Sequence, residues 1–385
     1  MPRLLVGMCV AVWTFSAFAA DPAMVDPVEK SVYAAVKVAR ELAASKNVYD
    51  QILGAGALVE VGDRPALELL EGYVNSSDKV LKRSAIDTLI SAVHPNSTDL
   101  LYRMAAADHD TLSLLIESLA SVPREDMGDL LVEALRVPNE YVQKHALQAL
   151  VRIDVNGRDK EIREVIGDPH SDNTIKAYGY YVLVSTGHGE ELFAKLQEIT
   201  DSGDLSAQEV IAVALGLINT PASKTALGKL SKSTEERVAL AAIASNAGLG
   251  DDKAISQLIH LIAYGKPMQA AVAAGALKRL PGDMALQITT TLLQCCKLSA
   301  DAGTRLLESW AWVESDPEIV YKWGLANPEA DIRLQTIWMM GERKDKTAIA
   351  RLTQFLSDED PALRGMAAWA IIHTVGDRYT PGVET

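Results

Sequence analysis

Four short clusters of this 385-residue chain combine residue types that can do chemistry, and they lie at Ser76 to Lys79, Asp108 to Asp110, His188 to Glu190, and Cys295 with Cys296. The first has the S-x-x-K spacing in which a lysine assists a serine nucleophile. The next two place imidazole and carboxylate groups close together, and both groups are common zinc ligands. The adjacent thiols of the fourth suit metal binding or redox chemistry.

The surroundings of the first three clusters favour a structural role. The S-D-N and K-T-G elements that accompany S-x-x-K in penicillin-binding enzymes are missing, so Ser76 to Lys79 is predicted to be a turn at a helix start. The two histidine clusters fall at predicted turns, where several polar residues in a row are ordinary. The chain also lacks a P-loop, a G-x-S-x-G elbow, an H-E-x-x-H pair and a C-x-x-C pair. No catalytic residue, metal ligand or cofactor is therefore predicted.

The two cysteines lie in the apolar stretch TLLQCCKL, which predicts a helix. Neighbouring Cα atoms are about 3.8 Å apart, which is less than the usual separation across a disulfide. Free cysteine is among the most buried residue types. We therefore expect Cys295 and Cys296 to pack in the core without a bridge between them.

The helices that must carry any site are clearest between Pro328 and Gly376. Each half of this stretch has a turn acid, a Pro and an aliphatic-Arg pair, Ile332-Arg333 and Leu363-Arg364, followed by apolar residues with a 3.6-residue period. A second helix is predicted over residues 347–356. Neither helix of such a hairpin can bury its apolar face alone, so the units must stack.

The sixth residue after the first apolar residue of this pattern, called here the reference position, recurs along the chain. It falls at Gly56, Asp87, Glu117, Gln148, Tyr181, Val213, Ala244, Gly275, Trp338 and Trp369. Neighbouring positions are 30 to 33 residues apart, except for a step of 63 residues that hides one unit. The spacing predicts an all-α fold, an α-solenoid of ten to eleven helical hairpins over residues 47–376.

Three S-x-x-E patterns, which begin at Ser206, Ser233 and Ser315, predict capping boxes at helix starts. In a capping box, each of the two side chains accepts a hydrogen bond from an otherwise unpaired backbone N–H.

These residues resemble HEAT repeats, specifically the short bacterial type first associated with bilin lyases, whose pattern is roughly D-x-x-V-R-x-x-A-x-x-A-L-x-x-x-G. The best copies are Asp331 to Gly341 and Asp360 to Gly376, and the weakest lies around residues 300–313. The resemblance is specific for the fold and almost silent on function. Deoxyhypusine hydroxylases, another HEAT-repeat family, bind iron with His-Glu pairs, but the dipeptide His-Glu occurs nowhere in this chain.

The N-terminal residues predict export. Arg3, an apolar run and the small residues around Ala19 resemble a signal peptide over residues 1–19, with cleavage near Ala19. Residues 20–27 are predicted to be a linker, 28–46 an N-terminal capping helix and 377–385 a C-terminal tail. The mature protein is then expected in the periplasm or outside the cell, without a membrane span.

The charge balance excludes one class of partner. The chain has 37 Lys and Arg against 51 Asp and Glu, a formal net charge of −14. Because an acidic surface repels phosphate backbones, nucleic acid is not an expected partner.

The predicted binding residues are Trp338, Trp369, Arg333, Arg364 and Tyr181, since the resemblance to HEAT repeats implies that the helices carrying them line the concave side. Aromatic residues and Arg dominate the energy of protein interfaces. The alternative is that the rings fill gaps between helices while Arg333 and Arg364 pair with nearby acids. We expect an exported, non-enzymatic scaffold or adaptor that binds a protein or peptide in its groove. A lyase-like or metal-dependent enzyme and a structural spacer are the alternatives.

Overall fold

A computed structural model describes residues 26–375 of the protein, apart from residues 154 and 156. The predicted signal peptide 1–19, most of the predicted linker and the predicted tail 377–385 lie outside the described residues.

The regular structure of the described residues is helical, with short 3-10 and π turns beside α-helices. In chain order the α-helices are α1 Pro27–Ala43, α2 Val48–Val59, α3 Arg64–Val74, α4 Lys79–Ser91, α5 Pro95–Ala107, α6 His109–Ser121, α7 Gly128–Ala134, α8 Glu140–Leu150, α9 Asp159–Gly167, α10 Asn173–Leu183, α11 Gly189–Asp201, α12 Leu205–Leu215, α13 Pro221–Leu230, α14 Glu236–Gly248, α15 Asp252–Tyr264, α16 Pro267–Gly275, α17 Gly282–Cys295, α18 Ala300–Trp310, α19 Glu318–Leu325, α20 Ala330–Glu342, α21 Ile349–Phe355 and α22 Pro361–Val375.

The helices form two layers. Each even-numbered helix packs against the next even-numbered one, from α2 through to α22, and these form the inner layer. The odd-numbered helices form the outer layer, and most of them pack against the inner helix of their own hairpin. The predicted all-α solenoid is confirmed, with eleven inner helices in the described part of the chain.

The unit hidden by the 63-residue step is the hairpin of α17 and α18. The reference position is the ninth residue of every inner helix, which makes Glu308 its representative in α18. Its pattern differs from that of the two C-terminal repeats, because Ala302-Gly303 stands where they have the aliphatic-Arg pairs Ile332-Arg333 and Leu363-Arg364. A Cβ on Gly303 would lie 2.7 Å from Ile332 Cδ1 and 3.0 Å from the Trp323 ring. The small residue is needed because these two side chains already fill the space.

The two ends of the solenoid meet. Helices α1 and α2 both pack against α22, and α1 also packs against α21. Ser31 and Thr353 share a hydrogen bond of 2.9 Å, and His373 Nδ1 lies 2.8 Å from Glu60 Oε1 with both side chains 5% exposed. End repeats of an open array need a polar outer face. Here each end buries the apolar face of the other, so the eleven inner helices form a closed ring.

The three predicted capping boxes are wrong. Asp204 caps α12 by accepting hydrogen bonds from the backbone N–H groups of Ser206 and Ala207. Glu235 and Pro317 occupy the cap positions of α14 and α19 without a side-chain cap. Asp and Asn rank among the strongest N-caps, so Asp204 displaces the serine two residues later. A capping box does form where the sequence has no Glu, between Thr220 and Ser223.

Arginines that follow inner helices tie neighbouring repeats together. Arg124, which follows α6, is 4% exposed and donates to the backbone oxygens of Leu89, Ile90 and Ala92 at the end of α4. Arg343, which follows α20, donates to backbone oxygens of residues 310, 313 and 315 after α18. A cation at a helix C-terminus is favourable because carbonyl groups there have no helical partner.

Among the described helices, none combines the length and the hydropathy that crossing a membrane requires.

Candidate functional site

Trp338 and Trp369 occupy equivalent positions on the neighbouring inner helices α20 and α22. With Leu53 and Met366 they line an apolar cavity of about 180 Å³. Trp338 is partly buried, whereas Trp369 is only 6% exposed and stacks on His373 with ring centroids 4.9 Å apart. The Trp369 indole is therefore packed among the helices and is not presented to solvent.

Arg333 and Arg364 bind the turns that precede their own helices. Arg333 Nη1 donates to the backbone oxygens of residues 327 and 328, at 3.0 and 2.8 Å. Arg364 Nη1 donates to those of residues 358 and 359, at 2.7 and 3.0 Å. Both guanidinium groups thus stabilise the entry into a repeat through carbonyl groups, not through the neighbouring acids.

Tyr181 lies in a much larger cavity of about 550 Å³ on the inner side of the ring. Helices α8, α10 and α12 form one side of this cavity, and the turns after α16 and α18 form the other. Its volume falls within the range of small-ligand sites, about 300 to 1,000 Å³. Charged side chains of both signs line this cavity.

One contact crosses the interior at this cavity. The Arg152 guanidinium lies 5.2 Å from the centroid of the Trp312 ring, although 160 residues separate the two in sequence. Arg152 Nη1 also donates to the backbone oxygen of Ser121 at 2.8 Å. Trp312 is 43% exposed, so its ring is open to the cavity and to solvent. A cation over an indole face is attracted by the ring quadrupole.

Three cations converge on the cavity: Arg152, Lys278 and Arg279. Within the part of the chain that the structure describes, none of them forms an ion pair with a carboxylate. Arg279 is an exposed residue that lines the cavity, and the protein atoms packed around its guanidinium lower the pKa of that group. Burial also lowers the pKa of Lys278 to about 8, and the positive charge of Arg152 adds to this effect.

Two phenols form the opposite wall. Burial raises the pKa of Tyr178 to about 12, with the negative charge of Glu209 nearby, and burial raises the pKa of Tyr181 as well. Both groups therefore stay protonated at neutral pH and can donate a hydrogen bond. The cavity as a whole offers three cations, neutral hydroxyl donors and aromatic faces, together with the carboxylates of Glu125 and Glu209.

The histidine clusters have other tasks. Asp108 caps α6, and its hydrogen bonds from the hydroxyl and N–H of Thr111 lower the pKa of its carboxyl to about 2. His188 Nε2 lies 3.3 Å from a carboxylate oxygen of Asp159. Among the described residues, no group of three or more His, Cys, Asp and Glu is arranged to hold a metal ion.

The expectation for the cysteines is wrong. Cys295 and Cys296 form a disulfide with each other, and Cys295 is exposed while Cys296 is partly buried. The helical prediction fails at this point, because α17 ends at Cys295 and Cys296 is extended, with φ −135° and ψ 148°. The break in the helix removes both side chains from the apolar face and lets them meet. Tyr264 Oη lies 3.6 Å from Cys296 Sγ.

Sequence reasoning missed the cations and Trp312, although a signal for them exists. Arg152, Arg279 and Trp312 each lie four residues after a reference position, since 148, 275 and 308 plus four are 152, 279 and 312. Each of the three lies just beyond the C-terminal end of its inner helix, so the same place in the repeat recurs at the cavity. Glu60 and His373, the pair that joins the ends, occupy the same place in their repeats.

The match to a family model agrees with the helical architecture. Residues 322–381 match the family model described as HEAT repeats. A chain from the crystal structure of an engineered protein is 18% identical, with coverage of 89% of this chain and 99% of its own and a TM-score of 0.27. No curated protein matches the chain. The matched segment includes α20 to α22, and the same hairpin recurs through the described residues, so the protein is an α-solenoid whose C-terminal units match HEAT repeats.

Proposed function

We propose that the protein is an exported HEAT-repeat scaffold without catalysis, which binds a segment of a protein partner on the inner side of its ring. The observation that carries this proposal is the cavity at Tyr181, where exposed aromatic and arginine side chains converge. Tyr, Trp and Arg are the residue types in which binding energy is concentrated at protein interfaces.

Closure of the ring supports the same role. Inner helices from both halves of the chain meet around the cavity, and the seam between α1, α2 and α22 holds them together. A site held this way loses little conformational freedom when a partner binds, so more of the contact energy appears as affinity.

The five predicted residues contribute unequally to this proposal. Tyr181 lines the cavity, and Trp338 offers a partly exposed ring in the smaller apolar cavity. Trp369, Arg333 and Arg364 support these surfaces through packing and through bonds to backbone oxygens. The contact energy is therefore assigned chiefly to Tyr181, Arg152 and Trp312.

Affinity purification of the tagged mature protein from the envelope of its own host tests the proposal. A partner should be recovered in stoichiometric amount and identified by mass spectrometry. Tyr181→Ala with Trp312→Ala should lose it, whereas Tyr49→Ala with Tyr264→Ala, which removes two exposed rings outside the cavity, should keep it. Trp312→Ala alone provides a variant whose fold is not in question, because Trp312 is 43% exposed.

The same eluate separates the alternatives. Retention of the partner by a folded cavity variant would contradict the use of this site. A stoichiometric metal without a partner would favour the metal-dependent enzyme, and recovery of neither would favour the spacer. Export is tested by intact mass, which should show an N-terminus close to residue 20. A cytosolic chain that retains Met1 would contradict it.

A further inference from the structure

We propose that the cavity at Tyr181 recognises a carboxylate carried on an aromatic or aliphatic group, such as the C-terminal residue of a partner chain. This inference rests on the proposed function in one respect, namely that the carboxylate belongs to a protein partner. The same chemistry would also be offered by a free organic acid, and the experiment below distinguishes the two.

The charge of the cavity is the first step. Arg152, Lys278 and Arg279 reach it from two separate turns and outnumber its two lining carboxylates, Glu125 and Glu209. Among the described residues, no carboxylate forms an ion pair with any of the three cations. Glu308 is the acid near Lys278, but it forms an ion pair with Arg305 on its own helix. A cationic site in a chain of net charge −14 is a local feature, which the general composition does not explain.

The second step is that keeping these cations costs stability. Burial and the charges of Arg152, Arg279 and Arg305 all disfavour the protonated form of Lys278, against the single favourable charge of Glu308. Groups whose ionisation is disfavoured in this way cluster at functional sites. An incoming anion would supply the missing countercharge and form hydrogen bonds with the two guanidinium groups.

The third step limits the charge of the ligand. Glu209 lies close enough to affect Arg279, and Glu308 and Glu342 lie close enough to affect Arg152. These carboxylates would repel the second and third charges of a polyanion. Because the nearby glutamates offset part of the charge of the three cations, a ligand with a single negative charge is the best match.

The fourth step concerns the body that carries the charge. Tyr178, Tyr181 and Trp312 present ring surfaces around the cations, and Val213 adds an aliphatic one. The volume of about 550 Å³ holds an aromatic side chain together with a terminal carboxylate and part of the preceding backbone. Capture of a chain terminus by converging donors is a known mode of peptide recognition.

Isothermal titration calorimetry with two matched pairs of probes tests the inference. The peptide pair is N-acetyl-Gly-Gly-Phe with a free carboxylate and the same peptide as its C-terminal amide. The small-molecule pair is 3-phenylpropionate and 3-phenylpropionamide. At low ionic strength, at least one acid should bind tenfold or more tightly than its amide, since a hydrogen-bonded charge contributes about this much.

Two double variants assign the effect to the cavity. Lys278→Gln with Arg279→Gln should reduce the affinity for the acid to that for the amide. Lys253→Gln with Arg237→Gln makes the same change in net charge at exposed positions outside the cavity and should leave both affinities unchanged. Circular dichroism checks that each protein is folded before the titration.

The outcomes separate this inference from the proposed function. A free peptide that binds while its amide does not supports a chain terminus as the ligand. Binding of 3-phenylpropionate alone supports the carboxylate site and contradicts a partner segment as its occupant. If the peptide and its amide bind equally, the proposed binding of a partner segment stands, and the inference that the cavity recognises a carboxylate is overturned. If neither the peptide acid nor 3-phenylpropionate binds measurably, the inference is also overturned.

Discussion

Lys278 is a residue at which stability and binding are expected to oppose each other. Its ammonium group is partly buried beside Arg152 and Arg279, and burial is the largest cause of its lowered pKa. Lys278→Met removes the charge and keeps most of the volume, so it should raise the free energy of unfolding at pH 7 by about 1 kcal/mol. Urea unfolding followed by circular dichroism measures the change.

The pH dependence of that gain has a defined sign. The pKa of Lys278 is about 8 in the folded chain, below its ordinary value of 10.5, so the unfolded state binds more protons between these values. The wild type therefore becomes more stable relative to the variant as pH rises through this window. The advantage of Lys278→Met should be full below pH 8 and absent near pH 10.5. Lys253→Met, at an exposed position, should show no such trend.

The affinity for the carboxylate probe should also depend on the protonation of Lys278, but it should fall as the pH rises. The carboxylate probe needs a protonated Lys278, so its affinity should be constant below about pH 8 and fall above it. The charged groups that act on Lys278 are Arg152, Arg279, Arg305 and Glu308. Titration calorimetry from pH 6 to 9.5 measures this. An affinity that is independent of pH would remove Lys278 from the site.

At the scale of the helices, the buried arginines hold each repeat to the next. Arg124→Met would leave the backbone oxygens of Leu89, Ile90 and Ala92 without their charged donor. The loss should be about 3 kcal/mol of unfolding free energy, because buried acceptors lose a charge-assisted bond. Arg103→Met is the matched control, since that side chain is 65% exposed in a surface ion pair and should cost under about 1 kcal/mol. Equal losses would contradict this role of Arg124.

At the scale of the whole molecule, the seam between the chain ends should behave as one structural unit. A Cβ on Gly365 would lie 2.3 Å from Leu53 Cδ2 and 2.9 Å from Leu42 Cδ1, so α22 and the first hairpin approach too closely for a larger residue. Gly365→Ala should lower the unfolding free energy by about 1 to 3 kcal/mol. Gly228→Ala, where a Cβ meets nothing within 4 Å, should instead raise it by up to about 1 kcal/mol.

Hydrogen exchange locates the effect of the seam variant. Exchange should increase together in α1 and α22, which lie at opposite ends of the sequence, while α10 and α12 stay protected. An open array would confine the change to α22. Protection of α1 that is unaffected by Gly365→Ala would contradict a closed ring.

Much of the fold was predictable, because helical hairpins are specified locally. A 3.6-residue period predicts each helix, and steps of about 31 residues predict the stacking of units. The reference position fell on the ninth residue of all ten inner helices for which it was assigned. The eleventh, in α18, was missed because its sequence departs from the pattern at Gly303. A glycine is required there because Trp323 and Ile332, from later helices, fill the space that a side chain would need.

The candidate site was predictable only in part. Tyr181 follows from the repeat register, which is local. Arg152 and Trp312 meet across the interior because small rotations between successive repeats add up around the ring, and the packing of whole helix faces sets each rotation. Closure through Glu60 and His373 depends on the same sum. The amino-acid pattern thus determines the helices and their stacking, whereas the path of the stack decides that its ends join and that three cations and three aromatic rings share one cavity.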